Sequence, residues 1–338
     1  MNRREEIIKL FDGEKSNRIC RALYGAGRWA YRQAGLKPED ISGNAAGFAL
    51  AIAGIFEALD TDMVFPGSGL NTFPAEAIGG SLAFKEGQAP LLSFPIIQRT
   101  GDARYLETVD ISHSPHSLAL IEMIAGLRVR LPDRFLCATS WGPFTWAMIL
   151  CEWNLLKEKT AVDIEFVREV CDLGVRLSKA FYEPLVARGL IDGIAIPDGA
   201  VTLISNDLYK EVVLPCEQRL FDWAKSRGLF CLLHQCGNIR SQLILYLETG
   251  ADVISVDASV DIAEAYELYR GKTVTAGNVD AINTILGGDE KSICTAVHSC
   301  IKAVSDPYQR FILMSSCDIP PETPLDNVQA FLSCAESV

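Results

Sequence analysis

No Cys-x-x-Cys pair occurs among the eleven cysteines of this 338-residue chain. Zinc ribbons and thioredoxin-type redox centres, which need two such closely spaced thiols, are thereby excluded. Basic charge is scarce, with 31 Lys and Arg against 43 Asp and Glu and a net charge of −12. Such an acidic balance argues against nucleic acid or an anionic membrane as the main partner. The glycines of Gly25-Ala26-Gly27 stop short of a dinucleotide fingerprint, because the third glycine and the later acidic residue are missing. No apolar run reads as long enough to span a bilayer, and no signal peptide is apparent. The cysteines then point to a reducing cytoplasm, with most of them serving as core filler.

Apolar residues at 49% and aromatics at 9% are ample for a core. A chain of this length fits one (β/α)8 barrel as well as two domains. Eight short apolar runs read as strands: 18–23, 63–65, 135–139, 191–196, 230–233, 253–255, 274–276 and 311–314. Helical patterns separate them, including 47–59, 164–187, 239–248, 262–269 and 291–304, and a helix over 206–226 that Pro215 should split. Strands alternating with helices imply a parallel sheet, and eight imply a closed barrel over 1–338 as a single domain. Residues 1–15 read as an amphipathic helical cap. About seventy residues separate the second and third strands, more than one crossover helix needs, so an insertion lies there. It is expected to carry helices at 74–82 and 117–127. A doubly wound sheet is the rival, less favoured without its phosphate-binding glycines.

In a barrel the chemistry collects at the carboxyl ends of the strands. Tyr24, Ser140, Asp198, His234, Cys236, Asp257, Asn278 and Cys317 all follow strand candidates. Within Phe230–Asn238 an apolar run gives way to His234-Gln235-Cys236-Gly237. Residues two apart in extended chain project to one face, so His234 and Cys236 can grip one ion. Cys317 ends another apolar run and offers a third soft ligand. Three protein ligands leave one tetrahedral position free, as catalytic zinc requires. The plainer reading of the same spacing is a buried thiol and a quiet core histidine. His113-Ser114-Pro115-His116 could also bind metal, but reads rather as an exposed loop or a substrate-facing lid.

Leu233-His234-Gln235-Cys236-Gly237-Asn238, Gly277-Asn278-Val279-Asp280, Ile254-Ser255-Val256-Asp257 and Ser316-Cys317-Asp318-Ile319-Pro320-Pro321-Glu322-Thr323-Pro324 together resemble the uroporphyrinogen decarboxylase superfamily. More narrowly, they resemble its zinc-dependent branch of methylcobalamin:coenzyme M methyltransferases. The Gly142-Pro143-Phe144-Thr145 turn fits as well. The resemblance implies a (β/α)8 barrel and zinc held by His234, Cys236 and Cys317. Departures accompany it. The first region reads Gly25-Ala26-Gly27-Arg28 where decarboxylases carry an arginine-rich signature. Leu70-Asn71 stands where they carry an aspartate, a departure from the methyltransferase wording too, of which Glu76 survives, and Ile149 stands where they carry a tyrosine.

The implied reaction moves a methyl group from a methylated corrinoid to a zinc-bound thiol such as coenzyme M. A corrinoid is too large for a barrel pocket, so a separate corrinoid protein is the expected partner. Tyr24 and Trp141 are expected to rim the substrate site, with Asp198, Asp257 and Asn278 orienting His234 or the substrate. The alternatives are transfer from a methylated donor to a corrinoid protein, porphyrinogen decarboxylation, and a non-catalytic zinc- or corrinoid-binding role.

Overall fold

Each barrel strand is a short apolar run whose alternating side chains face two different cores. Along Phe135–Thr139, Phe135 and Cys137 point into the barrel while Leu136 and Ala138 point out to the helices. This double burial explains runs without polar alternation. The computed structural model describes residues 2–106 and 108–337. The strands are β1 (Cys20–Ala22), β2 (Met63–Val64), β3 (Phe135–Thr139), β4 (Gly193–Pro197), β5 (Phe230–Gln235), β6 (Val253–Val256), β7 (Val274–Val279) and β8 (Phe311–Ser315). They are parallel and adjacent in chain order, and β8 pairs back onto β1, with Cys20 opposite Ile312, to close the expected eight-stranded barrel.

A helix at Arg3–Phe11 plugs the amino end; Met1, placed in that helix from sequence, lies outside the described residues. Ile7 and Leu10 are fully buried among Phe135 and Leu232, and the Phe11 ring lies 4.4 Å from that of Phe230. Each such buried side chain contributes roughly 1.5–3 kcal/mol.

The insertion after β2 differs from expectation in its first half. Residues 74–82 form no α-helix: a 3-10 segment, Phe73–Ile78, carries Pro74 in its first turn and ends where Gly79 turns left-handed at φ 86°. A small hairpin follows, Leu82–Ala83 against Leu91–Leu92. The helix expected at 117–127 spans Pro115–Arg130 and is capped by Ser114, which accepts from the Ser117 N–H. The segment 206–226 is divided as Pro215 requires: a π-turn at Tyr209–Val213 hands over to the α-helix Leu214–Lys225, with the proline in its first turn.

Two sequence readings need correction. The segment Pro38–Ala58 is, by length and composition, apolar enough to cross a membrane, although a third of it is buried. Its apolarity comes from Ala and Ile spread among Gly43, Asn44, Gly47, Gly54 and Glu57 rather than from a block. Here Phe48, Ala49, Ile52, Ala53 and Phe56 are buried as an outer helix of the barrel. Among the cysteines, Cys294 and Cys334 form a disulfide between the helix Glu290–Ala303 and the last turn. Cys20, Cys137, Cys151, Cys171, Cys216, Cys231 and Cys300 are buried free thiols, as expected of core filler.

Candidate metal centre

β5 runs two residues further than its apolar composition indicates, so His234 lies within the strand rather than past it. Pairing with Pro197 on β4 and Ser255 on β6 holds it there. Cys236 follows the strand end, and Gly237 takes a left-handed φ of 82° that favours glycine and turns the chain away. His234 Nε2 lies 3.0 Å from Cys236 Sγ, and Cys236 Sγ lies 3.3 Å from Cys317 Sγ. All three ligand atoms fall within 4.8 Å of one another at the mouth of the barrel. His234 is buried and both thiols are half-buried. One imidazole and two thiols make a donor set that suits zinc, and with three protein groups it leaves a fourth position open.

The two thiols behave as a unit. Hydrogen bonding from Cys236 draws the Cys317 thiol well below its ordinary range, against burial and with help from His234. The same contact, then burial, drives Cys236 upward. The pair therefore gives up one proton readily and the second with difficulty unless a cation replaces it.

Residues behind the ligands fix their aim. Ser255 Oγ sits 2.9 Å from His234 Nδ1, leaving Nε2 to face the sulfurs. The Tyr24 backbone N–H donates to Ser315 Oγ at 2.8 Å, and Ser315 Oγ donates to the Cys317 carbonyl at 3.0 Å. Asp318 accepts from the Ala26 N–H at 2.8 Å and from Arg28 Nε at 3.1 Å, tying the loop after β1 to the Cys317 loop. A Cβ at Gly25 would collide with the Asp318 carboxylate, and φ there is 65°, so the Gly25-Ala26-Gly27 wording reflects close packing. Ser255, Ser315 and Asp318 were not singled out from sequence. Ser255 becomes visible only through its register opposite His234.

The other expected residues separate into two groups. Tyr24 lies directly at the cluster: its ring stacks on His234 with centroids 3.8 Å apart, and its buried hydroxyl has no hydrogen-bond partner among the described residues. Burial first, then the Cys236 and Cys317 thiolates, raise this phenol well above its ordinary range. Trp141 is half-buried and donates from Nε1 to Thr72 Oγ1 at 3.1 Å. Asp198 is engaged elsewhere: its two oxygens accept from the Phe144 and Thr145 N–H groups at the start of the helix Pro143–Leu150. Burial nevertheless pushes its carboxyl up to about 6. Asp257 accepts from the Ser259 N–H in a local turn, and Asn278 Nδ2 donates to the Asp257 and Val260 carbonyls. His116 Nδ1 contacts Glu76 Oε1 at 2.8 Å, and Ser114 donates to the same carboxylate, so Glu76 pins the start of the insertion helix.

Comparison with known proteins identifies the family and the fold. The uroporphyrinogen decarboxylase (URO-D) family model matches residues 2–338. The methylcobamide:CoM methyltransferase MtbA of Methanosarcina mazei is 28% identical over 175 residues, 51% of this chain and 50% of the relative. A uroporphyrinogen decarboxylase of Carboxydothermus hydrogenoformans is 25% identical over 268 residues, 76% of this chain and 73% of the relative. The chain thus spans about half the length of the MtbA relatives it matches. A solved methyltransferase from Methanosarcina mazei superposes with a TM-score of 0.85 at 20% identity, covering 100% of this chain and 99% of its own, which establishes the shared barrel. A match over nearly the whole length, on a barrel of this closure, places the chain in the uroporphyrinogen decarboxylase family.

Proposed function

We propose that this protein is a zinc-dependent corrinoid methyltransferase that moves a methyl group from a methylated corrinoid to a small thiol. The observation that carries the reading is the convergence of His234, Cys236 and Cys317 at the open mouth of the barrel. Methyltransferase relatives matched over 50% and 63% of their own length support it. Zinc held by these three groups would offer a thiol an open position where it loses its proton at neutral pH. The chain itself orients His234 through Ser255, floors the site with the Tyr24 ring, and closes the barrel below with Phe65 and Met314. Water is thereby kept from one side of the reacting sulfur while the other side faces the mouth. A corrinoid cannot enter so filled a barrel, so it meets the thiol at the rim, carried on a partner protein.

Porphyrinogen decarboxylation is the weaker reading. Leu70, where decarboxylases carry an aspartate, is fully buried in the helix-facing core and offers no polar group.

The test is anaerobic incubation with methylcobalamin and a thiol, coenzyme M first and then homocysteine. The methyl-cobalt spectrum should convert to that of cob(I)alamin, and the protein should carry about one zinc per chain. His234→Ala and Cys317→Ala should lose both metal and rate while staying folded. Full zinc occupancy in both variants would sink the site. Failure with every thiol, alongside methylation of cob(I)alamin from a methylated donor, would reverse the direction.

A further inference from the structure

Tyr24 occupies the top of the barrel interior, where the strand layers end and the ligands begin. Its ring lies against the His234 imidazole at 3.8 Å with 23° between the planes, and it is only 4% exposed. The backbone fixes it from the other side, through its own N–H to Ser315 and from Ser315 to the Cys317 carbonyl. Yet the hydroxyl oxygen finds no partner among the described residues. Phe65, 5.2 Å away by ring centroids, packs the same ring and could not supply one. A phenol left buried without a hydrogen bond costs on the order of 1–3 kcal/mol, and phenylalanine would fill the space without that cost. The imidazole on which the ring stacks holds its Nε2 3.0 Å from Cys236 Sγ, and among the charged groups around the phenol Cys236 and then Cys317 act on it most strongly.

We propose that the Tyr24 hydroxyl is a positioning donor to the Cys236–Cys317 sulfur pair, completing its hydrogen bond when the thiolates hold their metal. The inference rests on the metal reading given above and deepens it. A donor at thiolate sulfur withdraws electron density from it. The open position is then more electron-poor and binds an incoming thiol as its anion more readily. The same bond holds the two sulfurs at a fixed angle to the imidazole on which the ring is stacked. Tyr24 is thus assigned to the electronic setting of the site rather than to contact with the corrinoid.

Co2+ in place of zinc makes this visible, because thiolate-to-cobalt charge transfer absorbs in the near ultraviolet. Tyr24→Phe keeps the ring and removes only the oxygen. The variant should bind one Co2+ per chain with affinity about tenfold weaker in chelator competition. Its charge-transfer band should move to longer wavelength, since sulfur loses a hydrogen bond and gives up charge more easily. Tyr24→Trp, which keeps an aromatic face, reports whether stacking alone accounts for the affinity. Unchanged band and affinity in Tyr24→Phe, with the parent protein binding Co2+ normally, would overturn the assignment and leave the metal reading standing. Band shifts seen only after a thiol is added would also overturn it, because the donor would then serve the substrate. A parent protein that binds no Co2+ at all would instead overturn the metal reading on which the inference rests.

Discussion

At the amino end of the barrel Asp62 is fully buried and every neighbour answers it. It accepts from the Arg21 N–H at 2.8 Å, from Arg18 at 3.0 Å and from Arg3 at 3.3 Å. Arg21 in turn donates to the Asp60 carbonyl at 2.9 Å and to Glu336 at 2.6 Å. At the carboxyl end the side chains are as well positioned but incompletely matched. Two thiols and an imidazole face one another there, and the Tyr24 hydroxyl has no partner among the described residues. Around Asp62 the amino end uses opposite charges to hold the barrel shut, and the carboxyl end gathers an imidazole and two thiols at one point. Layers of packed side chains inside the barrel separate the two ends, so a change at one should leave the other unmoved.

The largest expected effect breaks the amino end. Asp62→Ala strands the half-buried Arg18 guanidinium without its anion and the buried Arg21 N–H without its acceptor. Leaving buried charge unpaired should cost about 3–5 kcal/mol, read from urea denaturation. Metal content of the folded protein should stay at its parent value. Loss of metal under native conditions would break the separation of the two ends.

Ser255→Ala probes the carboxyl end with the opposite signature. The ring of His234 loses the partner at Nδ1 that fixes its tautomer and tilt. Metal affinity should fall by about tenfold, the usual cost of removing such a support. Stability without metal should change little, because the imidazole stays buried and stacked on Tyr24. A large stability loss with unaltered metal affinity would make Ser255 a core residue and nothing more.

The barrel and the clustering of His234, Cys236 and Cys317 were legible because both write themselves in local wording. Apolar runs mark strands buried on both faces, and His-x-Cys after such a run fixes two side chains on one face. Extended backbone carried that pattern two residues further than apolar composition alone, which placed His234 inside β5. Contacts between strands were not legible. Ser255 matters through register with His234, and Asp318 through a loop nearly three hundred residues earlier in the chain. The insertion misled for a different reason: Pro74 opens a helix well, but Gly79 ends it after six residues in a 3-10 form. Asp198 shows the limit of position as an argument. It follows a strand, as a catalytic residue of a barrel does, yet both of its oxygens cap the helix Pro143–Leu150.

Asn278 offers the smallest and sharpest contrast. From sequence it is a group at a strand end that could orient substrate; in the fold it is the penultimate residue of β7, half-buried, with its amide nitrogen shared between two carbonyls. Those bonds staple the loop after β6 to β7 and do not touch the triad. Asn278→Ala removes both donors, but the carbonyls of Asp257 and Val260 can turn to water where the loop is exposed. The net loss should therefore be about 1 kcal/mol, well under that of Asp62→Ala. Metal affinity and the cobalt spectrum should match the parent, and thiol affinity should match it as well. If the variant binds metal normally but loses thiol affinity tenfold, Asn278 meets the substrate and belongs with the unmatched carboxyl-end groups. If stability alone falls, the residue belongs with the staples, and the unmatched set narrows to the triad and Tyr24.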